Sequence, residues 1–136
     1  MKKIPTTLLV VAAALSREDG RILLQRRPIG RSMAGLWEFP GGKLEDGETP
    51  EVALVREMAE ELAIQIDPAD LTPTCFASAA IGDRSLLLLL YLCTVWHGEP
   101  TATESPELGW FTVDEMDELL MPPADIPLLA LLKKLF

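Results

Sequence analysis

Three glutamates stand close together in a segment with helical periodicity. Glu60 and Glu61 follow Glu57 by three and four positions, so a helix would place all three carboxylates on one face. Like charges at such spacings destabilise an isolated helix by about 0.2–0.5 kcal/mol per pair. Carboxylate oxygens are ligands that suit Mg²⁺, and Mn²⁺ can replace it. The spacing therefore indicates a divalent-cation site. The alternative is an acidic helix face that is simply solvated.

The helix that carries these glutamates has a well-marked start. Thr49 is a suitable N-cap, Pro50 suits the first helical position, and Glu51 lies near the positive end of the helix dipole. We therefore predict a helix from about 50 to 62. Apolar residues at steps of three and four are expected to face the core, namely Val52, Val55, Ala59 and Leu62.

Glycines precede this helix. Gly41 and Gly42 follow Phe39 and Pro40, and Gly47 comes shortly before the helix start. Since glycine lacks a Cβ, the backbone of such a loop can pass close to a ligand. We therefore expect the loop and the acidic helix to form one site.

The spacing of these residues resembles that of a known family. The matching residues follow one another in the order Gly42, five residues, Glu48, seven residues, Arg56-Glu57, two residues, then Glu60-Glu61. This order resembles the Nudix box. Ala63 departs from the pattern, because the family usually has Gly two positions after the second glutamate. We expect this departure to change the end of the helix and to leave the chemistry intact.

Other segments resemble the MutT-type nucleoside triphosphate pyrophosphohydrolases of that family. They are QRRP before the box, LWEFPGGK leading into it, GEP near position 99 and PPADIPLLALL near the C-terminus. The resemblance implies an α/β (α+β) Nudix fold, in which a mixed β-sheet is sandwiched between helices. It also implies metal-dependent attack at the β-phosphorus of a nucleoside triphosphate, which yields a nucleoside monophosphate and pyrophosphate.

The resemblance also implies roles for single residues. The principal metal ligands would be the Gly42 carbonyl, Glu57 and Glu61, and the assisting ligands would be Glu60 and Glu104. Glu107 is a nearby competitor for the role of Glu104. Because an arginine can orient carboxylates through bidentate hydrogen bonds, Arg56 is expected to hold Glu57 and Glu48 in place, and it can also pair with Glu60.

Substrate-binding residues are carried over from MutT-like enzymes by position. Arg27 would lie by the phosphates, Phe39 and Ile81 by the base, and Asp83 and Arg84 on a loop over the site. Asp125, where the best-known pattern has Asn, would lie at the base edge and accept hydrogen bonds when ionised. Alternatively, Asp125 caps the C-terminal helix.

Guanine and cytosine both present amino donors that suit an acceptor such as Asp125. We therefore expect 8-oxo-dGTP as the substrate, with CTP or a modified dCTP as the alternative, since PADIPLL also resembles the cytidine-nucleotide pyrophosphohydrolases of the family. A Nudix-like domain that only binds a nucleotide, as a sensor, is a third interpretation. The presence of Glu48, Glu57, Glu60 and Glu61 favours an enzyme over a sensor.

Composition limits the partners. The 136 residues are expected to form one domain, 1–136, with 49% apolar residues. The net charge of −9 argues against a nucleic-acid polymer, because a polyanion would be repelled. Cys75 and Cys93 lack metal-ligand spacing and are interpreted as buried thiols in a reducing cytoplasm. His97 is assigned no role.

Two apolar runs could be mistaken for membrane segments. The run at 86–96 is shorter than the roughly 20 residues that cross a bilayer, so it is interpreted as a central strand. The N-terminal run and RILLQRR are separated by the turn SREDG, which favours a two-stranded hairpin over a secretory signal. We predict strands near 5–15, 21–27, 72–80, 85–96 and 107–112, a loop to about 40, and helices near 113–120 and 126–135.

Overall fold

The computed structural model describes residues 7–136, which form seven strands and two α-helices. The strands are β1 Thr7–Leu15, β2 Ile22–Arg26, β3 Trp37–Glu38, β4 Gly41–Lys43, β5 Thr72–Ile81, β6 Arg84–Cys93 and β7 Leu108–Phe111. The helices are α1 Pro50–Leu62 and α2 Asp125–Leu132, and short 3₁₀ turns occur at Pro68–Asp70 and Glu115–Glu118. The strands predicted at 72–80, 85–96 and 107–112 and the helix predicted at 50–62 are confirmed.

The strands form two sheets. The larger sheet has the order β4-β1-β6-β5, and β1 is parallel to β6 but antiparallel to β4. The smaller sheet has the order β3-β2-β7 and is antiparallel throughout. The segment 86–96 therefore contributes an interior strand, as predicted, and the larger sheet is mixed.

The second half of β1 is buried on both faces, and its side chains alternate between two apolar clusters. Ala12 and Ala14 face the cluster that contains Leu128 and Leu132 of α2. The intervening residues face the cluster that contains the buried side of α1, and they are Val11, Ala13 and Leu15. The predicted arrangement of a mixed sheet between helices is therefore confirmed.

Helix α1 begins as predicted, but its buried face differs from the predicted one. The Thr49 hydroxyl oxygen accepts a hydrogen bond from the Val52 N–H at 3.2 Å. The buried residues are Ala53, Leu54, Met58 and Leu62, whereas Val52 is 49% exposed and Ala59 is also exposed. Of the predicted stripe, only Leu62 is buried and Val55 half-buried. The reason is that Leu54, Met58 and Leu62, at steps of four, carry the larger apolar surface.

The helix end retains the geometry usual for glycine. Ala63 adopts the left-handed conformation, with φ 57° and ψ 34°, and its N–H donates to the Ala59 carbonyl at 3.2 Å. The Ile64 N–H donates to the Met58 carbonyl at 3.4 Å. The departure from the usual box glycine therefore strains one residue and does not shift the helix end.

Several predicted elements differ from the observed ones. The N-terminal hairpin forms at its turn, where Ser16 pairs antiparallel with Ile22 and the Arg17 N–H donates to the Arg21 carbonyl at 2.9 Å. It does not continue as a two-stranded ladder, because β1 and β2 enter different sheets. The helix predicted at 113–120 is wrong, because only one 3₁₀ turn forms there. Helix α2 ends before the predicted limit of 135. Positions 5 and 6 of the first predicted strand lie outside the described residues.

The remaining predictions concern single residues and membrane segments. Cys93 is buried as predicted, whereas Cys75 is half-buried because it lies on the edge strand β5. His97 is exposed, and its backbone pairs with Gln65. Within residues 7–136, no helix is long and apolar enough to span a bilayer.

Asp125 joins α2 to the connection between β3 and β4. Its side chain is 6% exposed, and Oδ2 accepts a hydrogen bond from the Phe39 N–H at 3.1 Å. Burial raises the pKa of Asp125 to about 7, against the lowering effect of that hydrogen bond. The alternative in which Asp125 caps α2 is wrong, because Ala124 occupies the N-cap position and Asp125 begins the helix itself.

Replacing Ala63 by Gly should stabilise the protein, because glycine adopts the left-handed conformation without a Cβ penalty. We expect the free energy of unfolding to rise by about 1 kcal/mol. Urea unfolding measures it. Ala59→Gly, on the exposed face of the same helix, is the matched control and should lower stability by about 1 kcal/mol. A loss of stability in both variants would contradict the assigned helix end.

The raised pKa of Asp125 predicts that the free energy of unfolding depends on pH. Its value is 3.8 in an unfolded chain and about 7 in the fold, so ionisation destabilises the fold progressively from pH 4 to pH 7 and fully above that. Asp125→Asn does not ionise and can still accept the Phe39 hydrogen bond. Its stability relative to wild type should therefore rise by about 2–4 kcal/mol from pH 4 to pH 8. Urea unfolding across this range tests it, and a difference independent of pH would refute it.

Candidate active site

Strand β4 packs its backbone directly against a carboxylate of α1. Gly42 pairs with Val11 of β1, and a Cβ built at Gly42 would lie 2.4 Å from Glu57 Oε1. No larger residue fits this position without displacing the carboxylate. The glycine segment and the acidic helix therefore meet at one place, as the sequence predicts.

Arg56 ties the acidic groups around this contact together. Its Nε and Nη2 donate to the two Glu48 oxygens at 2.8 and 2.9 Å. Its Nη1 donates to Glu57 Oε1 at 3.0 Å and to Glu60 Oε2 at 3.3 Å, and Nη2 also reaches the Lys43 carbonyl at 3.1 Å. The guanidinium lowers the pKa of Glu48 and anchors helix α1 to the segment after β4. The predicted contacts of Arg56 with Glu48, Glu57 and Glu60 are thus observed.

Glu61 is the most desolvated carboxylate of the cluster. Its Oε1 accepts a hydrogen bond from Gln25 Nε2 at 3.2 Å, and its Oε2 is buried without a hydrogen-bond partner. Burial, together with the charges of Glu57, Glu38 and Glu104, raises the pKa of Glu61 to about 8. Burial is also the main cause that raises the pKa of Glu57. An orphaned carboxylate oxygen in a buried position is costly unless a cation or a proton meets it.

Glu104 is brought to this cluster by its neighbours. The Thr103 hydroxyl lies 2.6 Å from the Glu60 carbonyl oxygen and 3.0 Å from that of Glu61, at the end of α1. The Ser105 hydroxyl donates to the Arg26 carbonyl at 2.6 Å, at the end of β2. Glu104 lies between these two hydrogen-bonded residues, and its charge contributes to the raised pKa values of Glu57 and Glu61.

Glu107 and Glu60 point away from the buried part of the cluster. Glu107 Oε1 accepts from Arg26 Nη1 at 3.2 Å on the exposed surface. The Glu60 side chain is 57% exposed. The structure therefore brings Glu57, Glu61 and Glu104 together, while Glu60 lies at the rim. Their roles as metal ligands, and that of the Gly42 carbonyl, stay predictions.

The residues present fit a divalent cation. Within residues 7–136, no group of three or more His, Cys, Asp or Glu residues is arranged, as the side chains stand, so that it could hold a metal ion. The buried Oε2 of Glu61 and the contact between Glu57 and the Gly42 backbone nevertheless place oxygen donors where a hard cation would be stabilised. A site with few protein ligands suits Mg²⁺, which keeps waters and binds substrate phosphates.

A cleft runs from this cluster toward the start of the loop after β2. Its lining residues are Gln25, Arg26, Arg27, Pro28, Arg31, Glu38, Glu61, Glu104 and Ser105. Arg27 Nη1 donates to Glu38 Oε1 at 2.8 Å, and Arg27 Nε donates to the Ser32 carbonyl at 2.9 Å. The predicted phosphate-binding Arg27 therefore lies in the same cleft as Glu61. A separate groove over β5 and β6 is lined by none of these carboxylates, and β5 is the edge strand opposite β4 in the larger sheet.

The residues predicted to bind the base lie in two different environments, the core and an exposed turn. The Phe39 side chain is 3% exposed and packs in the core, so its backbone rather than its ring reaches toward Asp125. Ile81, Asp83 and Arg84 form the exposed turn between β5 and β6. No ion pair or side-chain hydrogen bond joins this turn to the acidic cluster within the described part of the chain. Contact of these residues with a base stays a prediction.

Sequence reasoning missed Gln25 and Glu38. Both face the cleft, and Gln25 contacts the predicted ligand Glu61 directly. The available signal for Gln25 was a polar residue directly after the buried apolar run Ile22–Leu24 of β2. Glu38 had no comparable signal, because β3 is only two residues long.

Comparisons with known proteins agree with this geometry. The NUDIX domain family matches residues 6–132. The CTP pyrophosphohydrolase of Escherichia coli K12 is 38% identical over 122 residues, which are 90% of this chain and 89% of that protein. The 8-oxo-dGTP diphosphatase of the same organism is 35% identical over 133 residues, 94% of this chain and 98% of that protein.

Solved structures share the fold. The solution structure of the E. coli ORF135 protein superposes with a TM-score of 0.87 at 36% identity, covering 96% of this chain and 91% of that one. A MutT Nudix hydrolase from Burkholderia pseudomallei gives a TM-score of 0.81 at 31% identity, covering 92% and 97%. Members of this family generally use divalent metal ions. The chain, with its complete set of box carboxylates around Arg56, belongs to the Nudix family and is a hydrolase of the MutT type.

Proposed function

We propose that this hydrolase is a metal-dependent nucleoside triphosphate pyrophosphohydrolase, with Mg²⁺ as its cofactor and Mn²⁺ as a substitute. The observation that carries the proposal is the buried, unpartnered Oε2 of Glu61, a carboxylate whose charge interacts with that of Glu57. Glu57 in turn packs against the Gly42 backbone. A cation there would offset the cost of desolvating two carboxylates and would attract the phosphates of a nucleotide.

Each group of the site has a distinct task in this proposal. Glu57 and Glu61, with the Gly42 carbonyl, would hold divalent cations, and Glu104 and Glu60 would assist. Such cations would supply charge neutralisation at the phosphates, a more nucleophilic water and a stabilised leaving group. Arg56 keeps Glu57 and Glu48 oriented through its hydrogen bonds. Arg27, whose guanidinium lies in the same cleft, binds substrate phosphate.

The substrate we propose is 8-oxo-dGTP, which would be hydrolysed to 8-oxo-dGMP and pyrophosphate. Relatives from E. coli, Proteus vulgaris and Haemophilus influenzae are named 8-oxo-dGTP diphosphatases and are 35–39% identical to this chain. Asp125 uses Oδ2 for the Phe39 N–H, which leaves Oδ1 to accept from the amino and N1–H donors of the base. Such an activity in the cytoplasm would remove oxidised nucleotides from the pool before DNA replication.

A cytidine nucleotide is the second candidate substrate. The E. coli relative that is 38% identical is named a CTP pyrophosphohydrolase. The 4-amino group of cytosine can also donate to Oδ1 of Asp125. In either case the partner is a small nucleoside triphosphate, and neither a nucleic-acid polymer nor a membrane is required.

Measuring kcat/KM for 8-oxo-dGTP, dGTP, CTP and dCTP with Mg²⁺ decides between the candidates. Release of pyrophosphate rather than inorganic phosphate distinguishes attack at the β-phosphorus. We expect Asp125→Asn to preserve or improve 8-oxo-dGTP turnover relative to CTP, because an amide adds a donor for a purine carbonyl. Preference for CTP in wild type would reverse the order of the candidates. Absence of pyrophosphate from all four would refute the proposed function.

Glu57→Gln keeps the shape of the side chain and removes its charge. We expect kcat to fall by several orders of magnitude while thermal stability is retained, because a lost ligand removes transition-state stabilisation rather than packing. Steady-state kinetics and a melting curve measure the two effects. Glu118→Gln, on the exposed 3₁₀ turn, is the control and should leave kcat unchanged. Near-normal turnover in folded Glu57→Gln would show that Glu57 holds no essential metal.

Glu104→Gln and Glu107→Gln form a matched pair on one loop. Glu104 lies beside Glu57 and Glu61, whereas Glu107 pairs with Arg26 at the surface. We expect Glu104→Gln to lower kcat clearly, though less than Glu57→Gln, and Glu107→Gln to have little effect. The same kinetic assay compares them. A larger loss from Glu107→Gln would assign the loop ligand to position 107.

A further inference from the structure

Gln25 is a buried amide in an apolar strand. It is 5% exposed and lies in β2, where its neighbours Leu23 and Leu24 are fully buried. Burying an amide without a hydrogen bond costs free energy of folding. Gln25 meets this cost by donating from Nε2 to Glu61 Oε1 at 3.2 Å, across 36 positions of the chain. The contact links the smaller sheet to the end of α1.

Gln25 also separates two carboxylates. It stands opposite Glu38 in the register of β2 and β3, so both side chains lie on one face of the smaller sheet. Burial raises the pKa of both Glu38 and Glu61, and the amide opposes part of this rise, as an N–H donor to a carboxylate does. Arg27 holds the far side of Glu38 at 2.8 Å. The side chains therefore follow in the order Arg27, Glu38, Gln25, Glu61.

The two oxygens of Glu61 are consequently not equivalent. Gln25 occupies Oε1, while Oε2 is buried without a hydrogen-bond partner. A hydrogen bond to one oxygen restricts the rotation of the carboxylate, so Gln25 contributes to the direction of the other oxygen. This is the arrangement in which a supporting hydrogen bond tunes a metal ligand.

We propose that Gln25 is a positioning residue that fixes Glu61 Oε1 and thereby directs Oε2 to the bound cation. The inference rests on the proposed metal-dependent function and adds a residue outside the Nudix box. A glutamine is suited to the position because a neutral donor can stand between Glu38 and Glu61, where another carboxylate would add repulsion.

Gln25→Met tests the proposal, because methionine keeps the length of the side chain and lacks the N–H donor. Mn²⁺ affinity is measured on the protein without nucleotide, by the electron paramagnetic resonance signal of free Mn²⁺. We expect binding to weaken 10–100-fold, the usual effect of removing such a supporting partner. Gln65→Met, at an exposed position, is the matched control and should bind Mn²⁺ as wild type does.

Kinetics separate positioning from a purely structural role. With 8-oxo-dGTP or CTP, whichever wild type prefers, Gln25→Met should lower kcat at fixed Mg²⁺ and recover part of it at higher Mg²⁺. A role in folding alone would lower the melting temperature and leave the Mn²⁺ affinity and the Mg²⁺ dependence unchanged, which would overturn the proposal. If Gln25→Met does not fold, Gln25→Thr, which suits a strand but cannot reach Glu61, takes its place in both measurements.

The outcomes distinguish this inference from the function on which it rests. If wild type neither binds Mn²⁺ nor releases pyrophosphate, the proposed function fails, and the inference fails with it. If wild type does both and the Gln25 variants bind Mn²⁺ with wild-type affinity, only the positioning role fails. Weakened binding in the Gln25 variants with normal binding in Gln65→Met supports it.

Discussion

Desolvated negative charge is the constraint on which the site depends. Glu57 and Glu61 are pressed against protein rather than left in water, and burial raises the pKa of both. Such charges persist in a fold only where cations or donors offset them. Arg56 donates hydrogen bonds to Glu48, Glu57 and Glu60 at once, which explains why a single arginine lies at the centre of the box. Gln25 donates a hydrogen bond to Glu61, to which Arg56 makes no hydrogen bond.

The same helix must bury an apolar face and present an acidic one. Leu54, Met58 and Leu62 fix the rotation of α1 against the larger sheet. That rotation turns Glu57 onto the backbone of Gly42, where β4 comes closest. The rotation of α1 about its axis therefore determines both the packing of its apolar face and the position of its carboxylates. A substitution that changed this rotation would disturb both.

Much of this arrangement could be predicted from the sequence, because it depends on spacing within one helix. The limits of α1, the contacts of Arg56 and the meeting of Gly42 with Glu57 follow from local rules and from the resemblance to the Nudix box. Contacts between distant segments could not be predicted in this way. Gln25 meets Glu61 only because the smaller sheet comes close to the end of α1, and β3 and β4 are too short to show a strand period. The predicted apolar stripe of α1 is wrong because it gives more weight to the spacing of Val52, Val55 and Ala59 than to the larger side chains of Leu54 and Met58.

The parallel pairing of β1 with β6 has a consequence for how the site forms. Thr7 stands opposite Ser85, so the central pair of the larger sheet closes a loop of 78 positions, 85 minus 7. Contacts so distant along the chain are entropically costly to close and form slowly. Helix α1 and its carboxylates lie within that loop, and like charges oppose the helix on its own. The position of the acidic cluster therefore depends on long-range closure of the sheet and not on local helix formation alone.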